Sequence, residues 1–434
     1  MTSILFQRFF ANHGFRRLHS FMASPDIART DSSLCSFLIK AKAQYLQAQS
    51  NTHEWTIVMG NEAGDLDSIA SAIAFAWIES AKSSCIPLIQ MAREDLILRP
   101  ENMHALALAG IHNPAEELLT LSDISPSSFP PSIKFALVDH NRLGAAFPSQ
   151  APVVAVIDHH DDEGLYTETA HPRKVAPAGS CASHVAQMLL LPAAGDDAML
   201  PVRDVSTLLL SAILIDTNCL KPGGKALDVD REAVRNLIPR SAMDSPSLLT
   251  DELPAAVRRL SDELASKKLD VSHLSTWDLL RRDYKEYTFS LNWIQPVPSS
   301  IHAGLASVSV GLKDLADLES AADKWMATRN LTVFGVLTSF RDAEKLGKTS
   351  GKPKHRREMA WFIRSSDKAP ADELASRLQK GLEQSEEIRA RRHEQVALEG
   401  KPSGMRAMAY EQGNAQATRK ASAPLLRSIM ESKQ

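Results

Sequence analysis

The sequence has few cysteines, few aromatic residues and no long hydrophobic run. Its 434 residues include four cysteines and no Cys-x-x-Cys pair, which argues against a disulfide framework or a cysteine zinc site and favours a reducing compartment. No apolar run reaches the roughly 18 residues that a membrane-spanning helix needs, so no membrane partner is expected. Aromatic residues make up only 6%, and no basic–aromatic stripe is present, so nucleic-acid binding is not expected either.

A large excess of charge of one sign is also missing. The 49 basic and 52 acidic residues leave a formal net charge of -3, so any basic site must be local. Residues 1–25 are the exception, because they contain Arg8, Arg16 and Arg17 and no acid. This composition is typical of a mitochondrial transit peptide, but a disordered extension ahead of a start at Met22 fits equally well. We expect a cytoplasmic protein, with mitochondrial matrix targeting left open, and residues 1–25 outside the fold.

The first half of the chain alternates apolar runs with helical patterns. Such alternation predicts an α/β fold with a doubly wound, mostly parallel sheet over residues 35–245. The predicted strands are residues 55–59, 86–91, 134–138 and 153–157, and the predicted helices are near 37–49, 67–82, 179–191, 203–215 and 229–238.

Acidic residues follow directly after the apolar runs. Asp65 and Asp67 follow the first predicted strand, Asp139 follows another, and Asp158 opens an Asp-His-His triplet after a third. A fourth apolar run, residues 208–215, ends at Asp216 and is counted here with the strand ends. In open α/β sheets, ligands bind beyond the carboxyl ends of the strands, so we expect these acids to converge on one rim.

Clustered carboxylates need a counter-charge. Residues two apart in a loop or strand end point to one side, so Asp65 and Asp67 repel each other unless a cation or a shared proton offsets the repulsion. Hard oxygen ligands with a minority of imidazole suit Mg²⁺, Mn²⁺ or Co²⁺ better than zinc. A single Asp at a strand end is more often a turn or cap residue, but five acids exceed the needs of one ion. The sequence therefore predicts two divalent ions.

The ordered set of motifs resembles the DHH phosphoesterase superfamily. Within it, the similarity is to the exopolyphosphatase and prune branch, which is related to family II inorganic pyrophosphatases. The motifs that carry the resemblance are residues 60–68, 138–141, 157–160, 179–183 and 215–216, followed by residues 279–285 and 354–358 in the second half. The resemblance covers about residues 35–395.

The resemblance implies a set of metal ligands. By position, Asp65 and Asp139 hold one ion, while Asp67, Asp139, His159 and Asp216 hold the other, so that Asp139 bridges the two. The expected cofactors are two divalent ions, Mn²⁺, Mg²⁺ or Co²⁺.

The resemblance also implies residues that meet the substrate. His160 faces phosphate, and Asp158 orients the imidazole next to it. Asn61 stands where many members of the superfamily have a histidine, and its amide oxygen is a harder and weaker ligand. Asn61, Lys225 and Ser180 are further candidates for substrate binding.

A basic stretch lies in the second half of the chain. Residues 341–357 hold eight lysines, arginines and histidines close together with glycine. By family position, His355, Arg356 and Arg357 are expected to bind phosphate as catalytic residues. A charge run of this kind is more often a solvated face. The expected domains are a catalytic domain over residues 35–245, a helical linker over 246–273, a smaller α/β substrate-binding domain over 274–398 and a polar tail over 399–434.

The expected activity is metal-dependent release of the terminal phosphate from linear inorganic polyphosphate. Pyrophosphate hydrolysis and prune-like cleavage of short polyphosphates or cyclic nucleotides are alternatives within the enzyme class. A protein-binding module with a degenerate site is the alternative from another class. Polyphosphate or pyrophosphate is the expected partner, and the oligomeric state stays open.

Overall fold

The structure, a computed structural model, describes most of the chain. The described residues are 33–48, 54–124, 129–130, 132–190, 203–243, 252–294, 299–346, 351–365, 370–400 and 404–433. The predicted N-terminal extension, residues 1–25, lies outside them. Within the described residues, none of the helices combines the length and the hydropathy that a membrane crossing requires.

A six-stranded parallel sheet forms the centre of the first domain. Its strands are β1 (Thr56–Met59), β2 (Cys85–Ile89), β3 (Leu119–Thr120), β4 (Lys134–Val138), β5 (Val153–Asp158) and β6 (Arg173–Val175). They pair in the order β3-β2-β1-β4-β5-β6, and every neighbouring pair is parallel.

Helices cover both faces of this sheet. They are α1 (Ser33–Ala48), α2 (Leu66–Glu79), α3 (Pro100–Leu108), α4 (Pro114–Glu117), α5 (Cys181–Leu190), α6 (Arg203–Asp216), α7 (Asp228–Leu237) and α8 (Ala255–Leu269). Along β1, Ile57 and Met59 belong to one buried core while Val58 belongs to the other. A strand buried on both sides is the mark of a doubly wound parallel sheet, so the predicted fold class is confirmed.

The helix predicted near 203–215 is confirmed as α6, but grouping Asp216 with the strand ends was wrong. Asp216 is the last residue of helix α6, not the end of a strand. The apolar run before it is buried on nearly every side, and an all-round apolar run cannot be assigned to strand or helix by its periodicity. The predicted helical linker contains α8, whose Val257, Leu260 and Leu264 are buried in the core of the first domain.

The second domain is built on a mixed seven-stranded sheet. Its strands are β7 (Tyr284–Ser290), β8 (Ser300–Val308), β9 (Val333–Thr338), β10 (Phe340–Leu346), β11 (Pro353–Arg364), β12 (Ala390–Arg392) and β13 (Met405–Gln412). The order is β12-β13-β11-β9-β8-β7, with β10 paired to β11 as a hairpin. The helices of this domain are α9 (Thr276–Arg282), α10 (Leu318–Thr328), α11 (Ala371–Gln384) and α12 (Arg419–Glu431).

The prediction of a polar tail over residues 399–434 was also wrong. Strand β13 pairs with β11 near the middle of the second sheet, and α12 packs Leu426 and Met430 into the core beneath it. The pattern was hard to detect because one buried position of α12 is Ser422 and Pro424 interrupts the helix. The C-terminal segment is therefore part of the second domain.

Replacing Leu426 by Ala tests this packing. Leu426 is 1% exposed, so Leu426→Ala should lower the free energy of unfolding of the second domain by about 2–5 kcal/mol through lost burial and a new cavity. Denaturant unfolding followed by circular dichroism measures the change. Ser428→Ala, at an exposed position of the same helix, is the matched control and should change stability by less than about 0.5 kcal/mol. Equal effects of the two variants would contradict the packing described for α12.

Candidate metal centre

Three potential ligands meet at the carboxyl ends of β4 and β5. Asp139 follows β4 in the left-handed region of the backbone, with a φ of 60°, a conformation that Asp tolerates better than most residues. Its Oδ1 lies 3.3 Å from His159 Nε2 and 3.7 Å from His160 Nδ1. The ligand atoms of the three residues lie within 4.8 Å of one another.

The chemistry of this trio fits a divalent cation. His159 Nδ1 donates to the carbonyl oxygen of Ala178 at 3.0 Å, which leaves Nε2 as the nitrogen that faces Asp139. Asp139 is 2% exposed, and its Oδ1 has no hydrogen-bond partner among the described residues. A buried carboxylate oxygen without a donor is costly, and a metal ion bound there would supply the missing partner.

Asp67 lies beside this trio and accepts hydrogen bonds from the start of α5. It sits in the first turn of α2, and its carboxylate accepts from Ser180 Oγ at 2.7 Å, from the Cys181 amide at 2.7 Å and from the Ala182 amide at 2.8 Å. His159 Nε2 is 3.9 Å from its Oδ2. The hydroxyl of Ser180, just before α5, was predicted to bind substrate but here donates its hydrogen bond to Asp67.

Two further predicted ligands surround Asp67. Asp65 caps α2 by accepting the Ser68 amide at 3.0 Å. Asp216 lies 4.0 Å from Lys268 Nζ at the end of α8. Exposed Lys225 lies close enough to lower the pKa of Asp216 electrostatically. The ligand roles of Asp65, Asp67 and Asp216 stay predictions, since these carboxylates lie outside the tight trio.

The pKa values show how crowded the negative charge is. Burial, followed by the charge of Asp139, raises the pKa of Asp67 to about 7. Burial and the charge of Asp67 likewise raise the pKa of Asp216 to about 7. Burial lowers the pKa of His159, but its contacts with Asp139 and Asp67 prevail and raise it to about 10. The site holds more negative charge than its own residues neutralise, and the protein alone can offset it only by binding protons.

Asn61 donates to the site through its amide nitrogen. Its Nδ2 lies 2.7 Å from Asp139 Oδ2, and its Oδ1 accepts the Ala63 amide at 2.9 Å. Ser68 Oγ donates to the same Asp139 oxygen at 2.5 Å. In this arrangement Asn61 orients Asp139, and its amide oxygen is already committed to the backbone.

Asp158 organises the Asp-His-His triplet. It is fully buried and accepts from the backbone amides of His159 and His160 at 2.8 and 3.2 Å. The Nδ1 atom of His160 lies 2.8 Å from the same oxygen, and Asn141 donates to the other oxygen at 2.5 Å. Burial raises the pKa of Asp158, but these hydrogen bonds outweigh it and lower the value to about 2. Asp158 therefore stays ionised and fixes the ring of His160.

The three residues of the second domain that were predicted to bind phosphate have different hydrogen-bond and ion-pair partners. Arg356 is paired with Asp342 at 2.9 Å and Glu411 at 2.7 Å, so its charge is already compensated. Arg357 Nε donates to the Ala415 carbonyl at 2.8 Å. His355 Nε2 lies 3.0 Å from Ser339 Oγ, and within the described part of the chain no hydrogen bond or ion pair joins any of the three to the first domain.

Sequence reasoning missed a group of charged residues where the two domains meet. Arg419, at the start of α12, lies 2.9 Å from Asp283. Burial raises the pKa of Asp65, but Arg99, the Ser68 amide and Lys268 outweigh burial and the nearby charge of Asp283, so that its pKa is lowered. Arg282 donates to Glu101 at 3.1 Å, and Arg99 Nη2 donates to the Ala63 carbonyl in the loop before Asp65 at 2.7 Å. Arg419 was missed because its segment was predicted to be a tail. Arg282 and Glu101 are 181 positions apart and Arg99 and Ala63 are 36 apart, so no local sequence pattern predicts either contact.

Both halves of the chain match known family models. Residues 55–213 match the model described as DHH family, N-terminal domain, and residues 262–429 match the DHHA2 domain. Exopolyphosphatase PRUNE1 of Mus musculus is 32% identical over 235 residues, which cover 53% of this chain and 48% of the mouse protein. The chain thus spans about half the length of that relative.

Pyrophosphatases are also similar to this chain. The manganese-dependent inorganic pyrophosphatase of Methanothrix thermoacetophila is 25% identical over 275 residues, covering 62% of this chain and 74% of that protein. The crystal structure of a Methanococcus jannaschii protein assigned to family II inorganic pyrophosphatases superposes with a TM-score of 0.53 at 18% identity, over 86% of this chain and 99% of that one. The structural likeness concerns the fold.

The two family matches confirm the resemblance that the motifs indicated. They occur in the predicted order, and together they cover more than half of the sequence, including Asp65, Asp67, Asp139 and Asp158 and most of the second domain. The chain belongs to the DHH phosphoesterase superfamily and, within it, to the prune branch.

Proposed function

We propose that this phosphoesterase releases the terminal phosphate from linear inorganic polyphosphate in a divalent-metal-dependent reaction. The observation that carries the proposal is the convergence of Asp139, His159 and His160, with one buried carboxylate oxygen lacking a donor, at the rim of the parallel sheet. The names of the mouse and archaeal relatives, an exopolyphosphatase and a manganese-dependent pyrophosphatase, support both the substrate class and the metal.

The residues present would hold the metal with oxygen and imidazole ligands. Asp67, Asp139, His159 and Asp216 would form one site, and Asp65 with Asp139 a second. When bound, divalent ions activate water for attack on phosphorus and offset the charge of phosphoryl oxygens. Asn61 and Ser68 hold Asp139 in place for this task.

The protein's own cations would hold the substrate. Lys268 lies 4.0 Å from Asp216, and half-buried Arg419 pairs with Asp283, whose charge acts on Asp65. His160, fixed by Asp158, would meet a phosphoryl oxygen from the first domain. Cations on the far side of the metal ligands can stabilise the charge that develops on the transferred group.

The β10–β11 hairpin has two chemically different faces. Arg341 pairs directly with His355 across the hairpin, and Arg357 lies two residues further along β11, so the three side chains share a face. Their closeness also lowers the pKa of His355, since burial and then the charges of Arg357 and Arg341 disfavour its protonation. The opposite face carries Arg356, which is bound to carboxylates. We call the first face the cationic face, comprising Arg341, His355 and Arg357.

The cationic face favours a polyanion over a small substrate. Polyphosphate carries about one charge per phosphate, and phosphates beyond the scissile one need cations that the metal ligands cannot provide. The loop that follows Ala415, where Arg357 is anchored, leads directly to Arg419, which pairs with Asp283, a residue close enough to Asp65 to act on its charge. A chain of phosphates could follow this route, whereas pyrophosphate needs only the metals and Arg419.

A substrate panel tests the proposal. Phosphate release would be measured from long polyphosphate, tripolyphosphate, pyrophosphate and cyclic AMP, each with Mn²⁺, Mg²⁺ or Co²⁺ and with a chelator. We expect the highest turnover on polyphosphate and none with the chelator. Activity on pyrophosphate alone would identify pyrophosphate, instead of polyphosphate, as the substrate. Inactivity on every substrate would favour a protein-binding role.

Removing the charge of Asp139 tests the shared ligand. Asp139→Asn should lower turnover by about 10³-fold or more, because a carboxylate between two ions would be lost while the side chain keeps its shape. Steady-state phosphate release is the measurement, with far-UV circular dichroism to show that the fold survives. Asp161→Asn, at an exposed acid of the neighbouring loop, is the control and should keep wild-type turnover. An Asp139→Asn enzyme with more than about a tenth of wild-type turnover would sink the assignment.

Metal addition should stabilise the protein. Repulsion among Asp65, Asp67, Asp139 and Asp216 is relieved when a divalent ion binds, and a ligand that binds only the folded state raises the melting temperature. Differential scanning fluorimetry with and without Mn²⁺ measures this gain, and a chelator should reverse it. The gain should shrink in Asp67→Asn and persist in Asp161→Asn. Equal gains in both variants would show that Mn²⁺ binds elsewhere.

The cationic face predicts a dependence on chain length. Arg357→Ala should raise the KM for long polyphosphate by about 10-fold, since a charged hydrogen bond contributes about 1.5–3 kcal/mol, and should leave the KM for pyrophosphate almost unchanged. The matched control is Lys354→Ala, an exposed cation on the opposite face of β11. An unchanged KM for long chains in the Arg357 variant would make this face an ordinary charged surface.

A further inference from the structure

Asp230 is a buried carboxylate that the proposed reaction does not use. It lies in the first turn of α7 and is fully buried. Within the described residues no Lys, Arg or His forms an ion pair with it, and its charge is held by four hydrogen-bond donors alone. A buried charge without an ionic partner is expensive, so its contacts indicate what it does.

Three of those four donors come from one segment. Oδ2 accepts the Gly179 amide at 2.8 Å, while Oδ1 accepts Ser183 Oγ at 2.6 Å and the Ser180 amide at 3.3 Å. Only the fourth donor, the Leu227 amide at 2.7 Å, belongs to the start of α7 itself. Helix capping alone therefore explains one contact and leaves three unexplained.

The turn 179–183, which donates hydrogen bonds to Asp230, also donates to Asp67. Ser180 donates its amide to Asp230 and its hydroxyl to Asp67, and the next two amides, of Cys181 and Ala182, also donate to Asp67. Asp67 and Asp230 thus both accept hydrogen bonds from the same turn. A shift of this turn at Asp230 moves the donors that set the position of Asp67.

Gly179, which donates to Asp230, also packs against Thr217, the residue after Asp216. A Cβ added to Gly179 would lie 2.7 Å from Thr217 Cγ2 and 2.8 Å from Asp230 Oδ2, so the backbone of Gly179 is wedged between α7 and the end of α6. Thr217 directly follows Asp216, and the three residues beyond it, Asn218 to Leu220, all have left-handed backbone angles. The turn that begins at Gly179 therefore contacts both Asp67 on α2 and the segment that follows Asp216 on α6, two predicted metal ligands from different helices.

We propose that Asp230 is a positioning residue for the metal centre, which acts through the turn 179–183 on Asp67 and through Gly179 on the segment that carries Asp216. The proposal rests on the proposed metal site. It assigns to Asp230 an effect on metal affinity that a helix cap would not have. Residues that orient metal ligands through an intermediate hydrogen bond typically change metal affinity by about 10–100-fold when replaced.

Isothermal titration of Mn²⁺ into the metal-stripped full-length protein tests the proposal. Asp230→Asn should weaken Mn²⁺ binding by about 10-fold or more, because an amide NH₂ in place of either oxygen would face an N–H or O–H donor. Asp228→Asn, at an exposed acid of the same first turn, is the matched control and should bind Mn²⁺ like the wild type. Circular dichroism in the presence of chelator establishes that the variants are folded.

Asp67→Asn separates the failure of this proposal from the failure of the site. Weak Mn²⁺ binding in Asp67→Asn combined with wild-type binding in Asp230→Asn would overturn the role of Asp230 alone. Wild-type binding in Asp67→Asn would overturn the metal site, and this inference with it. A double-mutant cycle with Ser180→Ala should be non-additive, since both changes act through one turn, whereas additive losses would contradict the route.

Ser183→Ala keeps the test decisive if Asp230→Asn does not fold. This variant removes one donor to Asp230 and none to Asp67. It should weaken Mn²⁺ binding by about 2- to 10-fold, the effect of one lost hydrogen bond transmitted through the turn. Wild-type Mn²⁺ affinity in the folded Ser183→Ala protein would overturn the proposal.

Discussion

Repulsion between carboxylates at one rim of a parallel sheet is the constraint on which the rest of this structure depends. Asp67, Asp139 and Asp216 are close enough for burial and mutual charge to raise their pKa values. Neutral donors hold Asp67 and Asp139, namely amides at the start of α5 and the hydroxyls of Ser68 and Ser180, while Lys268 lies 4.0 Å from Asp216. These donors hold Asp67 and Asp139 in position without neutralising them, which leaves room for a cation.

The second domain adds positive charge to that of Lys268 and Lys225 in the first domain. Arg419 reaches Asp283 beside the acids, and the β10–β11 hairpin places Arg341, His355 and Arg357 on a single face. The ion pair between Arg282 and Glu101 ties the two domains together next to the loop that carries Asp65. Such a division of labour suits a substrate that is itself a polyanion, because metals and cations approach it from different sides.

The parts of the site that follow strands could be predicted from the sequence. Apolar runs that end in acid fix where Asp65, Asp139 and Asp158 lie, since parallel strands end at one rim. Asp216 was grouped with the strand ends, although a helix was predicted near 203–215, because a helix buried all round has no polar face to reveal its period. Arg356 and Arg357 are equal in the sequence and differ only through the register of β11, which brings Glu411 beside one of them. Asp230 and Arg419 act through contacts between distant segments, which no local pattern encodes.

The central claim is that Asp139 shares a metal ion with His159. Crystals grown with Mn²⁺ and measured at the manganese absorption edge would show directly where the ion binds. We expect an anomalous difference peak at about 2.0–2.3 Å from both Asp139 Oδ1 and His159 Nε2, the usual distance for oxygen and nitrogen ligands of such ions. A fully occupied Mn²⁺ peak elsewhere, with Asp139 Oδ1 facing only protein atoms, would contradict it.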